Sequence, residues 1–525
     1  MRSLFVPAAL VVALPLSFLG LGACSSGGVD LVLDVPDDPT LAPASAATIT
    51  LLARKSDQPT RATSSALAED GTFELGRIAV GDGFDLAVEM RSATQRVVGY
   101  GRAGAPVEVT ANDVIEVVIP VRRPFVYMTG GGDRLIAFDS TRDAADPGYQ
   151  SEIALPEAAS LAIPAGGQEV AIIADQQDHA VVRRLITATH EIADAPPLEI
   201  GGGVRDAAAS PDGHWLVIGH TSGMTVVDLT SGEATPIAGT GDVERVAIGS
   251  DPRGKPWAIG LVGRAEPPAC EPSRLAVVAL GGAASADLID VGRPLIDIGA
   301  DDVQPVVVGV DACGGALVKI PLDEPGFPDV APMVEMLAEV PAPTAVAALG
   351  GRAWAIGSVA GVIDNEITTE AAHLVLVSAG LAGGGSARKD LPPVVESMVA
   401  IDAEGQDVAR NLKAGTAVAY DLAVVPPGNQ VALAYHATFH APTLVATTPF
   451  GQVPIIPRMD ATSDEYLLLD ADGAAPVHRV RTSCELEHES GAFISTWECR
   501  RSPGQDAAVG AGFHPAMLSV LYGGR

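Results

Sequence analysis

From Arg123 onward a short pattern recurs, and it restricts the fold of this chain more than any other feature. Each copy is a run of small apolar residues, a turn, and a second apolar strand that ends in glycine or an equivalent. Copies span 161–173, 207–219, 246–260, 346–357 and 422–434, with a degenerate one at 296–309. They are spaced about 40 to 50 residues apart, with one longer gap before the last. Further strands are expected between them, at 134–139, 224–229, 274–280 and 373–377. A repeat of this length holding four strands is the signature of a propeller, because a lone four-stranded sheet cannot bury both of its faces. Ala162, Ala208 and Ala247 suit an innermost strand, where blades crowd toward the axis. The pattern predicts an all-β propeller over 123–525 with six or seven blades, seven being preferred. The last strand, 516–522, is expected to close the ring near Phe125 and so remove an exposed sheet edge. Two stacked β-sandwiches are the competing arrangement.

Residues 29–122 read as a separate small β-sandwich. Strands are expected at 29–35, 48–53, 84–89 and 107–110, and Phe84, Leu86 and Val88 share one face. Ile115, Val117 and Ile119 continue the alternation, with turns at Asp70-Gly71 and Asn112-Asp113. The stretch from Asp70 to Glu89 resembles the transthyretin-like and carboxypeptidase-regulatory sandwiches, and an immunoglobulin-like sandwich explains the same strands. The implied role is a spacer or docking module. Within the large domain, the segment from Phe125 to Asp139 resembles the Tyr-Val-Thr-Asn repeat of bacterial surface propellers. Ala209-Ser210-Pro211-Asp212-Gly213, followed by the stretch from Val226 to Gly232, is similar to the same repeat. Met128-Thr129-Gly130 stands where that family has Val-Thr-Asn. Some relatives in that family are lactonases or lyases whose catalytic groups come from loops on one face.

The first 23 residues have the parts of an export signal. Arg2 supplies the positive end, 4–21 the apolar core, and Gly22 and Ala23 the small residues a peptidase needs. Pro7 and Pro15 interrupt the core, so it is a poor permanent span. Leu21-Gly22-Ala23-Cys24 resembles the lipobox of bacterial lipoproteins. That resemblance implies cleavage before Cys24 and acylation of Cys24 with palmitate-like chains. Several chains would hold the protein to a leaflet, at about 0.8 kcal/mol per buried methylene. An ordinary cleaved signal and an uncleaved anchor are the alternatives. Ser25, Ser26, Gly27 and Gly28 are expected to act as a flexible tether, so 24–28 form a lipidated linker. The residue after Cys24 is not Asp, which by the family's habit favours the outer membrane. Setting Cys24 aside leaves Cys270, Cys313, Cys484 and Cys499, an even number in an exported chain. Proximity favours Cys270–Cys313 and Cys484–Cys499 among three possible connectivities, and free thiols are the alternative.

Net charge is −32, spread along the chain, which argues against a phosphate-backbone partner such as nucleic acid. Aromatic residues are only 4%, which disfavours stacking sites for sugars and bases. No catalytic constellation, metal ligand set or cofactor motif emerges. His436 and His440 are four apart, but their setting reads as a loop without the helix a metal pair would need. Asp470 to Gly473 reads as a turn rather than a calcium loop, and Gly383 to Ser386 as a flexible connection rather than a phosphate loop. Trp215, Trp257 and Trp354 are expected to pack between blades. The sequence therefore favours a lipid-anchored envelope scaffold that binds a protein or small ligand. A lactonase- or lyase-like enzyme using His220, His436 or His440 is the competing reading, and an accessory in outer-membrane assembly is a third.

Overall fold

The structure is a computed structural model that describes residues 10–11, 26–36 and, with short interruptions, 42–500, plus strands at 507–508 and 517–520. Cys24, most of the 1–23 segment, both turns expected in the small domain, and 471–473 lie outside the described residues. All regular structure among the described residues is β-strand.

Seven blades form the large domain, five of them four-stranded sheets, with blade two a five-stranded sheet and blade seven part of a seven-stranded one. Blade one takes its innermost strand from the C-terminus. Met517–Val520 pairs antiparallel with Phe125–Thr129, followed outward by Arg134–Asp139 and Gln150–Ala154. Blades two to six begin at Leu161–Ala165, Val204–Ala209, Val243–Ser250, Leu295–Ala300 and Pro343–Leu349. Blade seven begins in the last residues of the long strand Asp407–Val425 and continues through Gln430–Ala441, Met459–Asp470 and Pro476–His488. Each innermost strand lies against the next, and Met517–Val520 touches both 161–165 and 407–425, so the ring is closed. The recurring sequence pattern is the innermost hairpin of blades two to seven, and its degenerate copy builds a complete fifth blade.

Packing explains the composition of that pattern. Ala207, Ala247 and Ala347 are fully buried on innermost strands, where a larger side chain would push neighbouring blades apart. The glycine that ends the pattern marks a close approach. A Cβ on Gly357 would lie 2.0 Å from the Pro341 carbonyl oxygen, and one on Gly219 would lie 2.9 Å from Val243. Trp354 is buried, and Trp215 and Trp257 pack against the apolar layers on either side of blade four. Gly383 to Gly385, all with positive φ, make a turn between the third and fourth strands of blade six.

The small domain is one curled sheet around a core of Leu31, Leu33, Ile49, Leu51, Phe84, Leu86, Val88, Ile119 and Val121. Val114–Arg122 joins its two halves: it runs parallel to Ser26–Asp34, and its end pairs with Tyr100 and Gly101. Ser26 to Gly28, expected as a loose tether, instead begin that strand, paired with Ile78, Ala79 and Val114. Backbone pairing overrides the weak strand preference of serine and glycine here. Leu10–Val11 adds an edge strand beside Val32 and Leu33.

A buried ionic latch joins the small domain to the ring. The Asp302 carboxylate receives Arg54 at 3.1 Å and Arg102 at 3.0 Å, while Arg102 also bonds Asp85 at 2.6 Å. Asp302 further accepts the backbone N–H of Gly350, and its neighbour Asp301 accepts those of Val303, Gln304 and Gly351. Arg96 reaches Asp143 of blade one at 3.0 Å. All these ring residues lie in first or third connections of their blades. In antiparallel blades those connections share one face of the ring, so the small domain caps that face. Disulfides Cys270–Cys313 and Cys484–Cys499 are both formed.

Candidate functional site

The opposite face carries the second connections and the links between blades, and it is built up rather than capped. Blade six inserts a hairpin there, Val362–Asp364 with Ile367–Glu370. Cys270–Cys313 ties the second connection of blade four to that of blade five. The strands of blade seven run on past the ring. Their inner side, including Ala417, Tyr435, Phe439 and Met459, packs on Leu374, Leu391 and Met398. Behind this layer Glu465 holds Arg479 at 2.6 Å and Tyr435, and Glu396 holds Arg481 at 3.5 Å and Ser463 at 3.2 Å. The other side of the extension is polar, because the strands alternate: Thr416, Val418 and Tyr420; His436, Thr438 and His440; Asp460, Thr462 and Asp464.

A four-strand row at the foot of this polar side gathers the most reactive groups. The Asp464 carboxylate, 2% exposed, accepts the Tyr420 hydroxyl at 2.8 Å, the His436 Nδ1–H at 2.8 Å and the Ser483 hydroxyl at 2.5 Å. A carboxylate can only accept, so Nδ1 of the 31% exposed His436 carries a proton and donates it to Asp464. Burial first, then the Asp464 carboxylate, push the Tyr420 hydroxyl well above its usual range, so it stays a donor. Ser483 gives its proton to Asp464, not to His436, so no nucleophile–base pair is assembled.

Five innermost strands repeat a second device. Each contains one extra residue where it enters the ring, marked by a register shift: Arg205, Glu244, Ile296, Thr344 and Tyr420 in blades three to seven. Bulges of this kind re-aim side chains. In four of the five the next residue links blades, the exception being Ala345 in blade six. The carboxylates of Asp206, Asp297 and Asp421 accept the backbone N–H of Val246, Val346 and Leu518, each on the following blade. Arg245 fills the same place in blade four and bonds Asp297 at 3.1 Å.

The histidines singled out from sequence separate. His220 is buried between Ser222 and Thr225, and burial lowers its pKa. His436 and His440 lie on a strand, not in a loop, and share a face about 13 Å apart by strand geometry, too far to chelate one ion. His440 pairs with Asp460 at 2.9 Å. No group of three or more His, Cys, Asp or Glu side chains suited to a metal ion occurs among the described residues. Asp464, Tyr420 and Ser483 were not anticipated. The polar alternation of 416–420, 436–440 and 460–464 was the available signal, since it marks a strand face exposed to solvent.

No protein-family model matches the sequence, and no curated protein does. Solved structures that are similar include hydrazine synthase of Kuenenia stuttgartiensis, at 14% identity and a TM-score of 0.35 over 53% of this chain and 75% of that one. Dihydro-heme d1 dehydrogenase NirN matches at 13% and 0.35, over 72% and 75% of the two chains. Apo AztD from Citrobacter koseri matches at 14% and 0.33, over 70% and 99%. Similarity at this level carries no chemistry across. The chain is an all-β protein whose large domain is a seven-bladed propeller.

Proposed function

We propose that this is an exported lipoprotein, anchored through Cys24 at the outer membrane, whose propeller is a binding scaffold. The observation that carries the reading is the asymmetry of the ring. One face is capped by the domain nearest the anchor, and the other is enlarged by the blade-six hairpin, the blade-seven extension and the Cys270–Cys313 tie. Only Ser25 separates Cys24 from the strand Ser26–Asp34, so an acylated Cys24 holds the small domain close against the bilayer. The enlarged face is then free to meet an envelope protein or a small ligand. Cleavage before Cys24 removes Leu10–Val11 and leaves the strand Ser26–Asp34 with that edge open, ready to lie along the membrane surface.

Two measurements test the reading together. Cells fed labelled palmitate should mark the wild-type protein and not Cys24→Ser, and the variant should leave the membrane fraction. Cross-linking from cysteine-free positions on the enlarged face, such as Thr438, should capture a partner that positions on the small domain do not. An unlabelled wild-type protein in the soluble fraction would remove the anchor. The enzyme reading draws on the His436–Asp464 pair, and it requires that His436→Ala abolish a hydrolase or lyase activity of the purified protein.

A further inference from the structure

A two-stranded hairpin is marginal in water unless another strand or element covers it. The blade-six insertion is such a hairpin: Val362–Asp364 pairs with Ile367–Glu370, and no third strand joins them among the described residues. Its base is tied to blade seven, where the Gly361 and Ala372 N–H groups donate to the Gly415 and Ala414 carbonyls. Its inner face, Ile363 opposite Thr368, rests over Gly415, whose Cβ position is 3.5 Å from Ile363 and 3.8 Å from Thr368. Its outer face sets Val362 opposite Glu370 and Asp364 opposite Ile367, so apolar and acidic side chains alternate around it. Val362, Ile363 and Ile367 are 50%, 53% and 48% exposed, an apolar group of the kind that marks an interaction site. Ile367–Glu370 is the strand beside blade seven, which leaves the far edge of Val362–Asp364 open among the described residues.

Charge says what the missing cover carries. Carboxylates on other solvent-facing strands are met by a base on the neighbouring strand: Glu152 by Arg134, and Glu335 by Lys319. Asp364 and Glu370 have no such base among the described residues, and nearby Lys413 is held by the Thr369 carbonyl. Beyond Ile363 the surface stays acidic. His440 lies 3.6 Å from the same Gly415 position and bonds Asp460, which stands opposite Glu487 in the sheet. A second copy of this chain would set these acids against themselves, and an acidic partner would meet the same repulsion.

We propose that the hairpin is a docking strand, and that an extended, basic segment of a partner protein adds to the open edge of Val362–Asp364. Main-chain pairing continues the sheet, apolar side chains of the segment cover Val362 and Ile367, and its Lys or Arg meets Asp364 and Glu370. This deepens the scaffold reading and rests on the enlarged face being the binding face.

The test uses the full chain in detergent and two fluorescent hexapeptides capped at both ends, Val-Thr-Lys-Val-Thr-Lys and its counterpart with Glu in place of Lys. The lysine peptide should bind at least about tenfold more tightly, as expected for gaining a charge-assisted contact in place of a repulsion. Its binding should slow amide exchange within 361–371. Asp364→Lys together with Glu370→Lys should invert the preference. The same reversal at Glu199 and Glu233, exposed on the outermost strands of blades two and three, should leave it intact, which separates local charge from the net −32. Ile367→Ser should weaken the lysine peptide at least about threefold, through lost apolar cover. These side chains are exposed, so unchanged melting curves confirm folding, and the wild-type comparison of the two peptides needs no variant. Equal or absent binding of the two peptides at millimolar concentration, a preference that survives the reversal at Asp364 and Glu370, or exchange that does not slow overturns the proposal. A wild-type dimer that Ile367→Ser dissociates also overturns it, because the cover is then a second copy. If the proposal falls while cross-linking from Thr438 still captures a partner, the scaffold reading stands without the basic segment. If the peptide preference holds in a protein that palmitate does not label, the anchor falls and the docking strand stands.

Discussion

Gly357 shows how a single atom can be forbidden by the closure of a ring. Its missing Cβ would sit 2.0 Å from a backbone oxygen, which no rotamer change relieves. Gly357→Ala should therefore cost about 1–3 kcal/mol, as overpacked sites do. Gly132, with nothing within 4 Å of its Cβ position, is the matched control and should tolerate alanine. Urea midpoints read both, with the slope unchanged if only stability moves. Asp464 is the opposite case, a group whose value lies in what it accepts. Asp464→Ala removes the acceptor of the Tyr420 and Ser483 hydroxyls and of the His436 Nδ1–H; Tyr420 and His436 are partly exposed and can turn to water, so the loss at the buried Ser483 sets the cost, about 1–3 kcal/mol. The diagnostic readout is nitrogen NMR of His436: the wild type should hold the Nδ1-protonated tautomer, and the variant should revert to a mixture.

Strands were legible from sequence where their signal is local, and illegible where it depends on a partner. The small-residue hairpins announced six innermost hairpins because spacing, turn and apolar run all lie within about 15 residues. The bulges at Arg205, Glu244, Ile296, Thr344 and Tyr420 did not, because a bulge is a mismatch between two strands and leaves no mark on one of them. Tyr420, His436 and Asp464 belong to three strands, so only the register across the sheet unites them. Ser26 to Gly28 misled for the same reason, since their pairing partner supplies the strand character. The disulfide Cys484–Cys499 fastens the outermost strand of blade seven to the strand Ile494–Cys499, which runs beside Val395–Asp402. Its loop of 15 residues is worth about 3 kcal/mol in the chain-entropy account. Replacing both cysteines by serine should lower the urea midpoint accordingly. It should also speed protease cleavage within 484–499 while blades two to five stay resistant.

The whole molecule is held by two closures, the ring and the latch. Asp421 ties blade seven to the C-terminal strand through Leu518, so ending the chain before Met517 should leave blade one short of its innermost strand and lower the melting temperature sharply. The latch adds a dependence on pH. Burial alone would raise the pKa of Asp302, but Arg102 and Arg54 outweigh it and hold the carboxyl below its usual range. Asp302 therefore contributes stability above about pH 4, lost only as pH falls through its depressed value. Asp301 behaves in the reverse sense. Burial, then the charge of Asp302, raise it to about 7, against the pull of three backbone N–H groups. Between about pH 4 and 7 the folded protein binds a proton there that the unfolded chain has released, so stability falls as pH rises through that window and levels off above it. Asp301→Asn cannot titrate and should lack this slope. The urea midpoint of the variant, measured relative to wild type, should rise from pH 5 to pH 8. Subtracting one protein from the other cancels the histidines and every carboxylate outside the latch. A difference that stays flat across that range would mean that Asp301 is already ionised in the folded latch, its three N–H donors outweighing the burial.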